Sequence, residues 1–102
     1  MIPQKVKKRL NNDPWMNKCC YCGKNPVEFH HTLLYSGRKI EKWYAITPLC
    51  EHCHRGNNGT TFRDAKDYAE WQAIMRGGAE LQKDYPKFDW VQRKKYLQSK
   101  FL

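Results

Sequence analysis

The sequence predicts an α+β fold in which a small zinc-stapled core, meaning a core held together by one zinc ion, is followed by C-terminal helices. Two Cys-x2-Cys pairs, at residues 19–22 and 50–53, supply four thiols at the spacing that tetrahedral metal sites use. Two strand-like runs lie between the pairs, and helical periodicity begins after residue 63. A chain of 102 residues is one domain with a modest core, so a metal is expected to stabilise it.

Residues 1–18 are predicted to form a basic arm or one helical turn. This segment carries four basic side chains: Lys5, Lys7, Lys8 and Arg9. The Asn-Asn-Asp-Pro run at 11–14 then interrupts regular structure. The N-terminus lacks the apolar run of a signal peptide, and no stretch reaches the length of a membrane span. We therefore expect a reducing compartment, the cytoplasm, and no contact with membranes.

Residues 19–62 are predicted to form the core. Strand-like composition covers 27–34 and 43–46, and the Ser-Gly-Arg-Lys run at 36–39 separates them as a hairpin loop. The two cysteine pairs flank this hairpin. A metal bound by both pairs would therefore close a loop that contains the hairpin.

Residues 63–102 are predicted to form a helical extension of the same domain. Asp64 can cap a helix in which Tyr68, Trp71 and Met75 recur at helical spacing, and the helix is expected to end at the glycine pair 77–78.

A last helix is predicted over 89–100, with Trp90, Val91 and Leu97 on an apolar face. Its polar face carries four basic residues: Arg93, Lys94, Lys95 and Lys100. Such a face could hold DNA or a second subunit in a homodimer, and the sequence leaves both open.

The net charge of the chain favours a polyanionic partner. Nineteen Lys and Arg against ten Asp and Glu give a formal net charge of +9. Such a charge concentrates nucleic acid near the protein and makes association fast and salt-sensitive. The expected partner is DNA or RNA.

The four thiols of Cys19, Cys22, Cys50 and Cys53 are predicted to bind one structural zinc ion. Two intervening residues allow a tight turn that directs both sulfurs of a pair inward. Cys20 could replace Cys19, but one intervening residue before Cys22 makes a poorer chelate.

Three histidines are candidates for a second, functional site. His30 and His31 are adjacent, so that at a strand end one can bind a divalent metal while the other meets water. His54 follows a zinc-binding cysteine, and on a helix starting near Glu51 it would share a face with Asn58. A neutral imidazole can act as a general base beside a hard divalent ion. His52 is assigned to the surface.

Three strings of residues together resemble the cysteine-containing HNH endonucleases, especially short phage-borne ones and recombination-enhancement nucleases. These strings are Cys19-x2-Cys22, Glu28-Phe-His30-His31 and Pro48-Leu49-Cys50-x2-Cys53-His54-x3-Asn58. The match covers residues 19–59. It implies a ββα-metal core, a hairpin followed by a helix around one catalytic metal, in the cytoplasm of a bacterial or phage-infected cell.

The resemblance also implies a role for each residue of the second site. His30 is similar to the first metal ligand, His31 to the general base, and His54 to the ligand that opens the helix, with Asn58 as a third ligand. Members of the family cleave phosphodiesters of DNA with Mg²⁺ or Mn²⁺. Five basic residues are the candidate DNA contacts near the site: Arg38, Lys39, Lys42, Arg55 and Arg63.

One position departs from the family pattern. The middle asparagine, which orients the base, aligns with Ala45. A metal-dependent DNA endonuclease is the expected function, and a non-catalytic zinc module that binds DNA or a recombination partner is the alternative. A zinc-dependent deaminase is set aside because the His-x-Glu and Pro-Cys-x-x-Cys pair is absent.

Overall fold

The computed structural model describes residues 2–55 and 59–101, which form a small mixed α+β domain, as the sequence predicts. Its helices are α1 Gln4–Asn11, α2 Glu51–Arg55, α3 Gly59–Asp84 and α4 Trp90–Phe101. Its strands are β1 Glu28–His31, β2 Leu34–Tyr35, β3 Arg38–Lys39 and β4 Ile46–Leu49. Two 3-10 turns, Pro14–Asn17 and Trp43–Ala45, complete the elements.

Strands β1 and β4 form the antiparallel pair that organises the domain. Glu28 lies opposite Leu49, and His31 lies opposite Ile46. The β2–β3 hairpin lies between the two strands in sequence and forms a separate two-stranded sheet. The strand predicted over 27–34 is therefore divided into β1 and β2.

The second strand begins at Ile46, later than the 43–46 interval predicted from the sequence. Residues Trp43–Ala45 form a 3-10 turn instead, closed by the Ala45 N–H, which donates to the Lys42 carbonyl at 3.0 Å. Pro48 argues against a strand at the level of sequence, because proline removes a hydrogen-bond donor from a sheet. The proline is tolerated here because a two-stranded sheet leaves each strand a free edge.

The N-terminal segment packs onto the β1–β4 sheet, where a basic arm or a single helical turn was predicted. Helix α1 has eight residues. Its last apolar residue, Leu10, is 1% exposed and forms a buried cluster with Met16 and Ile46. Val6 and Leu10 lie four residues apart on one side of the helix, and Ile2, which precedes it, packs against the same cluster. This apolar side holds the segment on the core.

The largest core cluster lies between the second 3-10 turn, the hairpin and helices α3 and α4. Its buried members are Leu33, Ile40, Tyr44, Ala45, Trp71, Ala73, Ile74, Leu81, Trp90 and Leu97. Gly78 has non-helical angles (φ 46°, ψ −125°), so α3 consists of two helical segments that meet at the glycine pair where the sequence predicts a helix end. Two residues of the predicted apolar stripes, Met75 and Val91, are exposed. Among the described residues, no helix is both long and apolar enough to cross a membrane.

Gly77 marks the closest approach between α3 and the Trp43–Ala45 turn. A Cβ atom on Gly77 would lie 2.8 Å from the Leu81 Cβ and 2.9 Å from the Tyr44 ring. Tyr44 is fully buried, and its hydroxyl donates to Asp84 Oδ2 at 2.7 Å. The Tyr44 ring therefore cannot move away from a larger side chain, and position 77 requires glycine.

We expect Gly77→Ala to destabilise the domain. Alanine gains about 1 kcal/mol of helix propensity over glycine, but forcing a methyl group into this contact costs about 1–3 kcal/mol or more. Thermal and urea unfolding should show a lower midpoint than wild type, with exposed Lys83→Ala on the same helix as the control. An unchanged midpoint would contradict the prediction, because it would show that α3 and the Trp43–Ala45 turn can move apart to accommodate the methyl group without loss of stability.

Candidate metal centre and histidine site

Four cysteines from two distant segments meet at one point. The Sγ atoms of Cys19, Cys22, Cys50 and Cys53 all lie within 4.8 Å of one another, and those of Cys22 and Cys50 are 3.5 Å apart. Thiolates around one tetrahedral zinc ion lie about 3.8 Å apart, as follows from a Zn–S bond of about 2.3 Å. All four thiols are free of disulfides. The cluster can hold a metal ion such as zinc, and its members are the four cysteines that the sequence pairs.

A tight backbone turn presents the first pair of thiols. The Cys19 N–H donates to the Lys24 carbonyl, and the Gly23 N–H donates to the Cys19 carbonyl, both at 2.9 Å. Gly23 has a φ of 80°, in the region that favours glycine. The Cys20 N–H donates to the Pro48 carbonyl at 2.9 Å and so ties this turn to β4.

Helix α2 presents the second pair. The strand β4 ends at Leu49, and the first helical turn is closed by the His54 N–H, which donates to the Cys50 carbonyl at 2.8 Å. Cys53 therefore lies about one helical turn after Cys50, on the same side. Ala65 and Ala69 of α3, both fully buried, pack against the cluster and leave it room.

The ionisation of the cluster depends on a cation. Burial opposes ionisation of Cys19, but backbone N–H groups, first that of Cys22 and then that of Cys50, hold its pKa at about 7. Burial raises the pKa of Cys53, and the neighbouring thiols raise it further. Thiols this close repel one another when ionised, so all four can become thiolates together only when a metal ion neutralises them.

Cys20 lies outside the cluster. Its thiol is half-buried, and burial raises its pKa to about 12, with the charge of Cys19 as the next cause. The structure thus brings Cys19, and not Cys20, together with the other three thiols.

Glu28 holds His54 in one orientation. His54 Nδ1 and Glu28 Oε1 are 2.6 Å apart, and Arg55 Nη2 donates to Glu28 Oε2 at 3.0 Å. The hydrogen bond from His54 lowers the pKa of Glu28, which is thus an ionised acceptor. Nδ1 must then carry the proton, which leaves the Nε2 lone pair of a neutral His54 free to bind a metal.

His30 lies beside His54. The two ring centroids are 4.8 Å apart, with a tilt of 57° between the planes. Burial, with the nearby charge of Lys66 on α3 as the next cause, lowers the pKa of His30 to about 3. His30 is therefore neutral at physiological pH, and the structure brings together two of the three predicted histidines.

His31 is directed to the other face of β1. Side chains alternate along a strand, so Glu28 and His30 share one face while Phe29 and His31 share the opposite one. Phe29 packs against the cluster that contains Leu10. Burial lowers the pKa of His31, and its buried Nε2 has no hydrogen-bond partner among the described residues. His31 is thus neutral, with an unused nitrogen.

The end of β1 is held by hydroxyl groups and backbone. The Thr32 hydroxyl donates to the His30 carbonyl at 3.2 Å and lies 2.6 Å from the Thr47 hydroxyl. The Thr32 N–H donates to the carbonyl of Ala45 at 2.8 Å. Ala45 itself is fully buried, so this position contributes a backbone acceptor where the family pattern has an asparagine side chain.

Asn58, the predicted third ligand, lies outside the described residues. Within residues 2–55 and 59–101, the four cysteines are the one group of three or more His, Cys, Asp or Glu side chains placed to share a metal ion. His30 and His54 would therefore offer two nitrogens to a second ion. His52 is exposed, as predicted.

Two of the predicted DNA contacts lie near the histidines. Arg55 is bound to Glu28 and its side chain is 67% exposed. Lys39 is exposed on β3, and its charge lowers the pKa of both His30 and His31, although burial is the largest cause for each.

The other three contacts are more scattered. Arg38 is exposed on the hairpin, Arg63 is exposed on α3, and Lys42 lies 4.0 Å from Asp84 Oδ2 at the far end of α3. Sequence reasoning assigned no role to Glu28 or Lys66. The two-residue spacing of Glu28 and His30 was a usable signal for Glu28, whereas Lys66 reaches the site through tertiary packing alone.

No protein-family model, curated protein or solved structure matches this chain. The resemblance to the HNH endonucleases therefore rests on the residues quoted above.

We expect Cys53→Ser to lose the bound metal and unfold the domain, because structural zinc contributes on the order of 10 kcal/mol of apparent binding energy in small domains. Cys20→Ser is the matched control and should retain one zinc ion per chain and the wild-type circular dichroism spectrum. Metal analysis and thermal unfolding measure both. Equal metal content in the two variants would contradict the four-cysteine assignment.

Stability should fall as pH decreases from 7 towards 5.5. The unfolded chain protonates His30 near pH 6.5, whereas folded His30 stays neutral down to about pH 3 because it is buried. The unfolded state then binds more protons, which lowers the free energy of unfolding by at most about 1.4 kcal/mol per pH unit for one group. Urea unfolding with zinc content monitored should show a weaker pH dependence for His30→Gln than for His52→Gln. Equal slopes would rule out a buried neutral His30.

Proposed function

We propose that the protein is a metal-dependent DNA endonuclease of the HNH type, which hydrolyses phosphodiester bonds. The observation that carries the proposal is the contact of His30 and His54, with ring centroids 4.8 Å apart and His54 fixed by Glu28. Adjacent imidazoles with one ring nitrogen held by a carboxylate are typical of a metal site. A purely structural histidine pair would not need this arrangement.

The surrounding elements support the same assignment. β1, β4 and the short α2 surround the histidine pair, and the resemblance implies this strand–strand–helix order for a ββα-metal core. We assign a zinc ion to the four cysteines. Its role would be structural, because four thiolates fill a tetrahedral shell and leave no open position for substrate.

The second ion, Mg²⁺ or Mn²⁺, would be held by His30 and His54, with Asn58 as the family-implied third ligand. When bound, such an ion supplies positive charge to the reacting phosphate. Glu28 keeps the proton of His54 on Nδ1 and so presents Nε2 to the ion. Burial keeps His30 neutral, which makes its lone pair available.

His31 is the general base in this proposal. Its Nε2 is unpaired among the described residues, and burial keeps the ring neutral at physiological pH. A neutral imidazole can accept the proton of an attacking water. Because His31 lies on the face opposite His30, the water would approach at the end of β1, where Thr32 follows.

Cations around the histidines would hold the phosphate groups. Lys39 and Lys66 both act electrostatically on His30, and Arg55 is largely exposed beside Glu28. Positive charge beside the histidines attracts the phosphodiester backbone and offsets the negative charge that develops on the phosphate during cleavage.

A non-catalytic zinc module that binds DNA is the second candidate. It is favoured by the placement of His31 on the opposite strand face and by Ala45, which offers no side chain to orient a base. This candidate predicts one zinc ion per chain and no Mn²⁺ binding that depends on His54.

A plasmid-nicking assay with Mg²⁺ or Mn²⁺ tests the nuclease. Wild type should nick the plasmid. His31→Ala should lower the rate by about 10²–10⁴-fold, as expected for loss of a general base, with Mn²⁺ affinity unchanged. Glu28→Gln should weaken Mn²⁺ binding by about 10–100-fold, as expected for loss of a carboxylate that orients a ligand.

Zinc content and thermal unfolding of each variant serve as controls for folding. His30→Ala separates the roles of the neighbouring histidines, since it should lose Mn²⁺ binding as well as cleavage. Equal inactivity of wild type and His31→Ala, with zinc intact, would reject the nuclease in favour of the non-catalytic module.

A further inference from the structure

One side of helix α1 packs against the core, and the side exposed to solvent carries basic residues. Val6 is half-buried and Leu10 is buried against the core. Lys5, Lys7 and Lys8 are exposed, and we call these three side chains the α1 lysine face. Arg9 at its border is stacked on Trp43, with the guanidinium carbon 4.0 Å from the ring centroid.

The α1 lysine face has no acidic partner among the described residues, unlike many cations of this protein. Several other basic side chains are each bonded to a carboxylate: Arg55 to Glu28, Arg76 to Asp13, Arg93 to Glu70 and Lys100 to Asp67. The first twelve residues contain no Asp or Glu. Asp13, the next acid along the chain, is occupied by Arg76. The charge of this face is therefore not neutralised within the domain.

The stability of α1 does not explain these lysines. The first turn contains no acidic residue, and no side chain caps the N-terminus. A lysine in the first turn is unfavourable because it opposes the helix dipole. Lys5 also lies three residues from Lys8 and four from Arg9, spacings at which like charges repel on a helix surface. Lys8, in the last turn, is favoured by the helix dipole, but the unfavourable charge of Lys5 has no local compensation and points to an external ligand.

The ligand that fits this face is a polyanion. We propose that the α1 lysine face binds the phosphodiester backbone of the nucleic acid that the histidine site engages, which rests on the proposed function for the identity of the ligand. The three lysines lie within one turn of α1, about 4.5 Å along its axis. Their long side chains can contact up to three phosphates, which rise about 3.4 Å apart along one strand of a duplex.

The position of α1 places this binding surface next to the proposed site. Leu10 and Phe29 belong to one packed cluster, and Phe29 shares a strand face with His31. Helix α1 therefore covers the sheet face towards which His31 is directed, and the helix flanks the strand that carries the candidate base. A duplex that reaches His31 at the end of β1 would therefore also meet α1, on the face opposite His30 and His54.

A membrane surface fits these observations less well. A helix that lies in a lipid interface needs a free apolar side to insert. The apolar side of α1 is occupied, since Leu10 is 1% exposed against Met16 and Ile46. Only the charged side chains of α1 are therefore available to contact a ligand.

Two triple variants test the proposal. One replaces the face itself, Lys5→Gln, Lys7→Gln and Lys8→Gln. The matched control replaces three other exposed lysines without an ion pair in the described residues, Lys83→Gln, Lys87→Gln and Lys95→Gln. Both variants lower the net charge by three. Circular dichroism and zinc content establish that each is folded.

Binding to a labelled duplex of about 30 base pairs, without added divalent ions, is measured as a function of salt. Each phosphate contact contributes about 0.9 to the slope of log K against log salt. The α1 triple variant should lower the slope by about 2 to 3 and weaken binding at least tenfold at low salt, whereas the control should change the slope by less than about 1. A single-stranded DNA and an RNA duplex of the same sequence show which nucleic acid is preferred.

Equal losses in the two variants would overturn the proposal, because net charge alone would then account for binding. So would a selective loss of binding to phosphatidylserine vesicles with DNA binding unchanged, which would assign the face to a membrane. The nicking assay is independent of this result. DNA binding that depends on α1 without any nicking supports the inference and rejects the nuclease. Nicking by wild type, together with equal losses of DNA binding in the two triple variants, supports the nuclease and rejects the inference.

Discussion

The convergence of four thiols from residues 19–22 and 50–53 is the constraint on which the rest of the site depends. It joins the turn before β1 to the start of α2, and the backbone bond from Cys20 to Pro48 ties the same turn to β4. The two strands and the helix are thereby held at one point. In a domain this small, apolar burial alone leaves little margin, so a bound cation would decide whether the site exists at all.

The register of β1 against β4 then divides the functional residues between two faces. Glu28 and His30 face the metal-binding elements, where His54 extends from α2 to meet them. Phe29 packs towards α1, and His31 follows it by alternation. A shift of one residue would exchange the faces and separate His30 from His54. Thr32 and Thr47, whose hydroxyls are 2.6 Å apart, help to hold this register at the strand end.

Charge is distributed unequally over the domain. On the C-terminal helices, Arg93 and Lys100 are bonded to carboxylates of α3, which gives them a role in joining α3 to α4. On α1 and β3 the basic side chains Lys5, Lys7, Lys8, Arg38 and Lys39 are exposed and have no ion pair among the described residues. Two of the four basic residues predicted for the polar face of α4 are therefore ion-paired, whereas the basic side chains of α1 and β3 keep an exposed charge.

The amino-acid sequence alone determined the α+β class, the four metal-binding cysteines and the candidate histidines, because these depend on local periodicity and on residue types whose chemistry is specific at short spacing. The tertiary structure decided what depends on contacts between distant residues. It placed β4 over Ile46–Leu49, packed α1 onto the sheet, and made Glu28 the partner of His54. It also separated His30 from His31, since only the pairing of β1 with β4 defines which face of the strand meets α2.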